Sequence, residues 1–346
     1  MFPIELFTKH DKAAGIVGLV ANLVLLYMAL KRMSPAFRNY SYMILINCAN
    51  DIIYSIVSLS CGRVIELRNA TLFHMSYSLE NHASPTVAMF IEFMNEVVCM
   101  QTSTILGTQY YFRYILVSKR REPTLGLLSF LVSVSTLASL IFGVTDIFSS
   151  MDSAKRGRSY YTEQLGFDWV ASDGRIHFSS ANDIRDFSTK VHFGEGTVCI
   201  FASYAVVMYY GYKTLMIMQN PVPNQQISKN TRAMTRQFTI NLLIQTGLTV
   251  CCAVMPATYL FVYVVFQPPI PFVGIFISSI YTWNPLSNAL VTMLVIKPYR
   301  EQLVHFISLG RWGSKAKTSV IRDFTSKNSM HRTVHSDDLM TTNERF

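Results

Sequence analysis

Four ionisable side chains lie in stretches of sequence that are otherwise strongly apolar: Asp51, Glu92, Glu96 and Arg113. Ionisable groups at membrane depth are costly, and by default they indicate function. Asp51 is the sharpest case, because two asparagines lie within the turn that precedes it. A buried carboxylate without partners costs several kcal/mol, so Asp51 needs polar neighbours or a cation.

Polar residues in two other apolar stretches lie at a depth comparable to that of Asp51. These are Asn22 in the first predicted span and Asn284 and Asn288 in the last. We expect one polar cluster that joins the first, second and seventh helices and contains water, with a sodium ion near Asp51 as an open alternative. In the competing interpretation, Asp51 is protonated or has a structural role alone.

A second group of polar residues lies near the predicted outer ends of the third and fifth spans. Glu92 and Glu96 are one helical turn apart, and His192 and Glu195 share a helix face at i, i+3. Together with Asn95, these residues are candidates for lining a ligand pocket. Alternatively, the acids pair with basic residues of the long outer loop. No span contains a tight metal-ligand motif, so we predict no metal here.

Arg113 lies near the inner end of the third span, about 25 Å from Glu96 at a helical rise of about 1.5 Å per residue. Two interpretations are open for an arginine at this depth. It faces the helix bundle and takes part in signalling, or its side chain extends to the lipid headgroups while its stem stays in the apolar layer.

The prediction of the helices that position these residues starts from residues 237 to 296, a stretch that contains no Asp, Glu, Lys, Arg or His. A membrane helix needs about 20 apolar residues, so this stretch crosses the bilayer twice and reverses at the proline-rich segment 267–271. Arg236 and Lys297 flank it, and basic residues collect in cytosolic loops. Both ends of the stretch are therefore predicted to face the cytosol.

Five further apolar stretches, at about 13–30, 39–61, 85–117, 124–149 and 192–218, complete the prediction. The fold class is an all-α membrane protein, a seven-transmembrane helix bundle with its N-terminus outside. Residues 1–12 form an extracellular N-terminus and 13–296 the bundle. Residues 297–312 are predicted as an amphipathic juxtamembrane helix and 313–346 as a disordered cytoplasmic tail. Asn69 begins an Asn-Ala-Thr glycosylation pattern in the first outer loop.

The composition also fits a membrane protein, because 50% of the residues are hydrophobic and 15% are charged, against about 25% charged in soluble domains. The net charge of +9 follows from basic cytosolic segments beside the lipid bilayer and requires no nucleic-acid partner. All six cysteines lie within or beside spans, which leaves none for a disulfide in the long outer loop. Motifs for phosphate binding, zinc-dependent hydrolysis and serine hydrolysis are missing, so we predict no enzyme and no cofactor besides the sodium ion.

Four motifs in the last third of the sequence occur together: residues 227–232, residues 243–246, Asn284-Pro285-Leu286 and Lys297-Pro298-Tyr299-Arg300. With them, the chain resembles nematode serpentine chemoreceptors of the Str superfamily, most closely class delta. The resemblance implies a rhodopsin-like G-protein-coupled receptor for small odorants or pheromone-like molecules. It also implies signalling to a heterotrimeric G protein from the plasma membrane of chemosensory neurons, in their sensory cilia.

The resemblance assigns roles to several positions. Arg113 and Tyr114 occupy the place of the motif that couples helix three to the G protein, and Pro256 and Pro285 are the expected kinks of helices six and seven. Asn22 and Asp51 correspond to the inner polar pair of rhodopsin-like receptors. Phe112 and Asn288 depart from that pattern, since they replace an acid and a tyrosine, which puts conventional switching in question.

Two other classes of protein stay open at this point. A seven-helix ligand-gated channel would need its N-terminus inside, which the basic loops disfavour. A small-molecule transporter would usually show an internal repeat with broken helices, and none is evident. Serine and threonine residues in the predicted tail are candidate phosphorylation sites that would recruit arrestin, or ordinary components of a disordered segment.

Overall fold

The computed structural model describes residues 4–31, 38–78, 83–118, 124–166, 178–219, 229–251 and 273–307, with isolated positions between 255 and 266. Its helices follow the predicted spans. Four of the described helices are long and apolar enough to span a membrane on their own, at Leu6–Lys31, Tyr40–Cys61, Leu125–Ala154 and Phe187–Ile217. The spanning helices are α1 (Ile4–Lys31), α2 (Arg38–Cys61), α3 (Pro85–Ser118), α4 (Leu125–Ala154), α6 (Phe187–Gln219), α7 (Lys229–Thr249), α8 (Val273–Thr282) and α9 (Asn284–Val295).

The seventh span is made of two helices, α8 and α9, with a turn at Trp283 between them. Pro285 stands in the first turn of α9 and has no amide hydrogen to bond to the preceding turn, which explains why the helix is interrupted here. Helix α1 contacts this break, because the Asn22 side-chain amide donates to the Pro285 carbonyl at 3.0 Å. Pro256, the other predicted kink, lies outside the described residues.

A small structure that we call the lid covers the outer end of the bundle, the end at which α1 begins. It consists of strands β1 (Arg63–Arg68), β2 (Thr71–Ser76) and β3 (Phe178–Asp183) with helix α5 (Arg158–Leu165). The strands form one antiparallel sheet in the order β1-β2-β3. Sequence analysis had treated 62–84 and 150–191 as loops, so the lid is an addition to the predicted all-α fold.

The β1–β2 hairpin closes through a two-residue turn, since Arg68 pairs with Thr71. Asn69 and Ala70 at the turn both have positive φ, 49° and 62°. Asn tolerates this conformation, whereas Ala at such a position is strained. Asn69, the predicted glycosylation site, is exposed at this tip, and its glycosylation stays a prediction.

The lid has a hydrophobic core of its own. Phe73 and Met75 are fully buried at its centre, and the Phe73 ring meets the Tyr161 ring of α5 edge to face, with ring centroids 5.9 Å apart. The core also takes in side chains from α1 and α8, so the sheet is packed onto the bundle; its members are Phe7, Val64, Phe73, Met75, Tyr161, Leu165, Ala181 and Ile275.

Arg156 joins the segment after α4 to the chain that leads from β3 into α6. Its guanidinium donates to both carboxylate oxygens of Asp186, at 2.6 and 2.5 Å, and lies 3.1 Å from the fully buried Asp183. The hydrogen bonds from Arg156 hold the pKa of Asp186 below its ordinary value. We call Arg156, Asp183 and Asp186 the clasp. It lies in the long outer loop, which has no cysteine that could form a disulfide there.

Helix α10 (Lys297–Ile307) belongs to a second compact unit, which begins at Lys297 after the unit that contains the bundle. Large apolar side chains, Val304 and Phe306, are exposed on it. Its placement on the inner leaflet stays a prediction, and the predicted tail 313–346 lies outside the described residues.

Candidate functional site

A cavity of about 400 Å³ lies beneath the lid. Its walls come from α2, α3, α4, α6 and α8, and strands β1 and β2 contribute Arg63, Ile65, Leu72 and His74. On α3 the wall runs from Asn95 to Ser103, about 12 Å along the helix axis. Most of the lining surface is apolar, and four aromatic rings contribute to it: Tyr54, Phe142, Phe193 and Tyr281.

The most polar part of this cavity is centred on Arg63. Its side chain is only 8% exposed and is ion-paired with Glu96, while its Nη2 atom lies 3.4 Å from Glu92 Oε1. Glu92 and Glu96 of α3 are therefore paired with a basic residue, as one of the two interpretations of the sequence predicted. That interpretation expected a partner from the long outer loop, whereas Arg63 belongs to β1 in the first outer loop.

The polar contacts continue from Arg63 towards α4. The His74 Nε2 atom lies 3.3 Å from Arg63 Nη2 and 3.4 Å from Asn182 Nδ2. Both neighbours are donors, so Nε2 is the acceptor and the His74 proton is on Nδ1. Asn182 of β3 also donates to Asp146 Oδ1 at 2.8 Å, and that oxygen is 3.6 Å from His192 Nε2.

The five residues predicted to line the pocket divide into two groups. Asn95, Glu96 and His192 lie on the cavity wall. Glu92 and Glu195 are not on it: Glu92 accepts a hydrogen bond from Ser180 of the lid, and Glu195 accepts one from Thr145 at 2.9 Å. Their placement corrects the expectation that all five face one pocket, while ligand binding at the others stays a prediction.

Sequence analysis missed three members of the outer polar network. Arg63 had no signal of its own, because its partners depend on how β1 folds back over α3. His74 lies in a segment interpreted as a loop. Asp146, which is fully buried, was detectable as the one acid in an otherwise uncharged apolar stretch, and that signal should have added it to the candidates.

A second and much smaller cavity, about 40 Å³, lies deeper in the bundle. Asn22, Asp51 and Asn288 line it, and Asn288 Nδ2 donates to Asp51 Oδ2 at 3.3 Å. Asn284 is buried but does not line this cavity. Three of the four residues predicted as a cluster therefore share one space. The sequence analysis did not foresee further polar walls from α3 and α7: Gln109, Asn241 and Gln245.

Several amide oxygens around this inner cavity lack a hydrogen-bond partner within the part of the chain that the structure describes. They are Oδ1 of Asn22, Asn241 and Asn288. The amide nitrogens of these asparagines already donate hydrogen bonds within the protein, for instance from Asn241 to Gln245 at 3.2 Å. The amide oxygens are therefore the atoms that can bind an ion or a water molecule. Hard cations take oxygen ligands, and a carboxylate with amide oxygens is a suitable donor set. The residues present thus fit a small cation or water.

Arg113 lines the same inner cavity and is 4% exposed. Its guanidinium donates to the Thr239 hydroxyl of α7, which links the inner ends of α3 and α7. The interpretation in which Arg113 extends to the headgroups is therefore wrong for this conformation. Tyr114 lies on the neighbouring face of α3, with its ring centroid 5.1 Å from that of Tyr210 on α6.

The apolar helices and the lid over their outer ends define a seven-helix membrane protein. The sequence matches the family described as serpentine type 7TM GPCR chemoreceptor Str over residues 8–304, so the chain belongs to this family. It is 22% identical over 329 residues to serpentine receptor class r-10 of Caenorhabditis elegans, covering 88% of this chain and 92% of that protein. Squid rhodopsin has a similar structure, with a TM-score of 0.65, 10% identity and coverage of 89% of this chain and 87% of that one.

These comparisons confirm the resemblance to nematode serpentine chemoreceptors and the rhodopsin-like seven-helix fold. Neither the family description nor the name of the relative mentions class delta, so the assignment to that class stays a prediction. The family is one of multi-pass membrane receptors, which accounts for the apolar helices.

Proposed function

We propose that this receptor binds a small odorant or pheromone-like molecule in the outer cavity and activates a heterotrimeric G protein at its inner side. The observation that carries the proposal is the cavity itself, which lies beneath the lid in a member of a chemoreceptor family. Its volume of about 400 Å³ is within the range typical of small-molecule sites, about 300–1,000 Å³.

Helix α3 connects the two ends of this proposed pathway. It carries Glu96 at the outer cavity and Arg113 at the inner one. A ligand shifts the equilibrium between helix arrangements only if it binds one arrangement more tightly. We propose that the bond from Arg113 to Thr239 belongs to the resting arrangement, and that its loss frees α7 to move and exposes Arg113 to the G protein.

The proposal is tested by filling the outer cavity. Ile200 lines the cavity from α6, whereas Val198 on the same helix is 67% exposed on the outside of the bundle. In cells with a G-protein activation reporter, Ile200→Trp should shift the response to an active odorant by at least tenfold, and Val198→Trp should leave it unchanged. Equal surface labelling of an N-terminal tag is required for both. Unchanged potency in Ile200→Trp would contradict the proposed binding site.

We also propose that the cation of the inner cavity is sodium, held by Asp51 and the amide oxygens around it. In purified receptor, replacing potassium by sodium should raise the melting temperature of the wild type. Asp51→Asn should abolish this difference, while the control Asp152→Asn, at the outer end of α4 and away from the inner cavity, keeps it. A sodium effect that persists in Asp51→Asn would rule out this site.

Further parts of the proposal concern partners and location. Glycosylation of Asn69 is proposed from its Asn-Ala-Thr pattern, and phosphorylation with recruitment of arrestin from the serines and threonines of the predicted tail. Residence in sensory cilia is proposed from the family resemblance. The channel alternative predicts a ligand-evoked current that needs no G protein, and recording in cells without G-protein activity distinguishes it from the receptor.

A further inference from the structure

We infer that the ligand of the outer cavity is a compact apolar molecule that carries a positively charged amine. This inference rests on the proposed function, because it specifies the chemistry of the same site. It is based on three features: the balance of charges at the polar end of the cavity, a tyrosine hydroxyl without a partner, and the apolar surface deeper in the cavity.

The charges at the polar end are unequal. Among the described residues, three carboxyl groups, those of Glu92, Glu96 and Asp146, belong to a network with one arginine, Arg63. The network also contains His74, which is neutral because its Nε2 atom accepts from two donors, and His192. Buried acids in excess over bases take up protons or another cation, and the ammonium group of a ligand would serve as that cation.

Other charged groups near the cavity do not restore this balance. Glu195 is held by Thr145 behind the wall and adds to the acidic side. Asp11 accepts a hydrogen bond from Thr282, which lines the cavity from α8. Lys190 is the second basic residue on the wall, but it is exposed at the outer rim in the first turn of α6, where water solvates its charge.

Glu96 is the acid that a ligand can reach. Its side chain lines the cavity and is 15% exposed, and among the described residues its ion-pair partner is Arg63 alone. One arginine shared between Glu92 and Glu96 leaves capacity on the Glu96 carboxylate for a second donor. An ammonium group beside it would make a charge-assisted hydrogen bond in a cavity whose lining is largely apolar.

Tyr54 supplies the independent indication of a ligand. It lines the cavity from α2 and is only 8% exposed as a whole, and its hydroxyl makes no hydrogen bond to any residue in the described part of the chain. The hydroxyl oxygen is not sealed off from solvent, so it can donate to or accept from a polar group of a guest in the cavity. The Tyr54 ring, with Tyr281 nearby on the wall, also offers an aromatic face to a cation.

The orientation of the ligand follows from depth. Met100 lies one turn deeper than Glu96 on α3, and Ile200 lies two turns deeper than His192 on α6. The inner part of the cavity is therefore mainly apolar, with Ser103 as a polar residue on α3, while its outer end is charged. The amine is placed beside Glu96 and Tyr54, and the apolar body extends inwards towards Met100 and Ile200.

The test compares three probes that share a body and differ in charge: 2-phenylethylamine, 2-phenylethanol and phenylacetate. Binding is measured as thermal stabilisation of the purified receptor, which needs no G protein. We expect the amine to stabilise the wild type at lower concentration than the alcohol or the acid. Glu96→Gln should weaken amine binding at least tenfold, with little change for the alcohol, and the exposed control Glu163→Gln should have no effect.

A milder variant keeps the test decisive if Glu96→Gln does not fold. Tyr54→Phe removes only the hydroxyl and should weaken amine binding by about two- to tenfold, as expected for one lost hydrogen bond. The inference is overturned if the alcohol or the acid binds as well as the amine, if no probe binds, or if both variants bind the amine as the wild type does. Amine binding without G-protein activation would instead refute the proposed signalling.

Discussion

The clasp is expected to hold the lid in place, and its contribution to stability can be worked out from the structure. The Arg156 side chain is 32% exposed and that of Asp186 is 14% exposed, and they share two hydrogen bonds of 2.6 and 2.5 Å. Charges about 4 Å apart attract by about 1 kcal/mol in water and about 4 kcal/mol near a protein surface. Partial exposure and the ordering of the side chains reduce this, so we expect a coupling energy of about 1–2 kcal/mol.

A double-mutant cycle with Arg156→Gln and Asp186→Asn measures this coupling free of other effects. Hydrogen exchange of the β3 amides reports opening of the lid, and the loss of 1–2 kcal/mol should speed it by about 5- to 30-fold. Lys155→Gln is the matched control. Lys155 also forms an ion pair, with Asp152, but its side chain is 78% exposed, so the loss of this pair should cost little. A coupling below about 0.3 kcal/mol, or equal effects of Arg156→Gln and Lys155→Gln, would refute the reasoning.

The pH dependence of the clasp follows from the lowered pKa of Asp186, whose ordinary value is 3.8. The carboxylate binds protons more weakly in the folded lid than in the open one. Its stabilisation is therefore complete above about pH 5 and is lost as the pH falls through the folded pKa. The difference in β3 exchange between wild type and Asp186→Asn should shrink below pH 4; a constant difference down to pH 3 would contradict this assignment.

Two further predictions concern backbone geometry. Ala70→Gly should stabilise the receptor by about 0.5–1 kcal/mol in thermal unfolding, because glycine adopts the positive φ of this turn without strain; a lower melting temperature would contradict it. Gly274→Ala should prevent surface expression, because a Cβ atom there would overlap the backbone oxygen of Ile65 in the lid. Gly247→Ala, with no atom within 4 Å of its added Cβ, should express normally, and equal expression of the two variants would argue against the contact.

The spans and the inner cluster were predictable because both follow from the cost of polarity in a membrane. Apolar length alone located the helices, and Asp51 indicated that polar partners had to be near it. The bond from Asn288 to Asp51 and the position of Asn22 on the same cavity agree with that argument. Asn284 was expected in the same cluster but does not line the cavity, because depth along a helix does not specify which way a side chain points.

The lid and its contacts were not predictable for a different reason. Strand β3 reads Phe-Ser-Ser-Ala-Asn-Asp, which lacks the alternation of apolar and polar residues that marks a half-buried strand. Two of its polar side chains are drawn into the interior by bonds to α3 and α4: Ser180, which is partly buried, donates to Glu92, and the buried Asn182 donates to Asp146. Such pairings depend on tertiary packing and have no local signature.

The most direct measurement of the central claim is odorant-stimulated G-protein activation in cells that express the wild type or Arg113→Ala. The probe is a panel of small volatile amines, alcohols and ketones, and surface labelling of an N-terminal tag controls for expression and orientation. The account predicts a surface-exposed tag on both proteins, a response in the wild type and its loss in Arg113→Ala. A ligand-evoked current that persists without G-protein activity, or a tag found only on the cytosolic side, would contradict it.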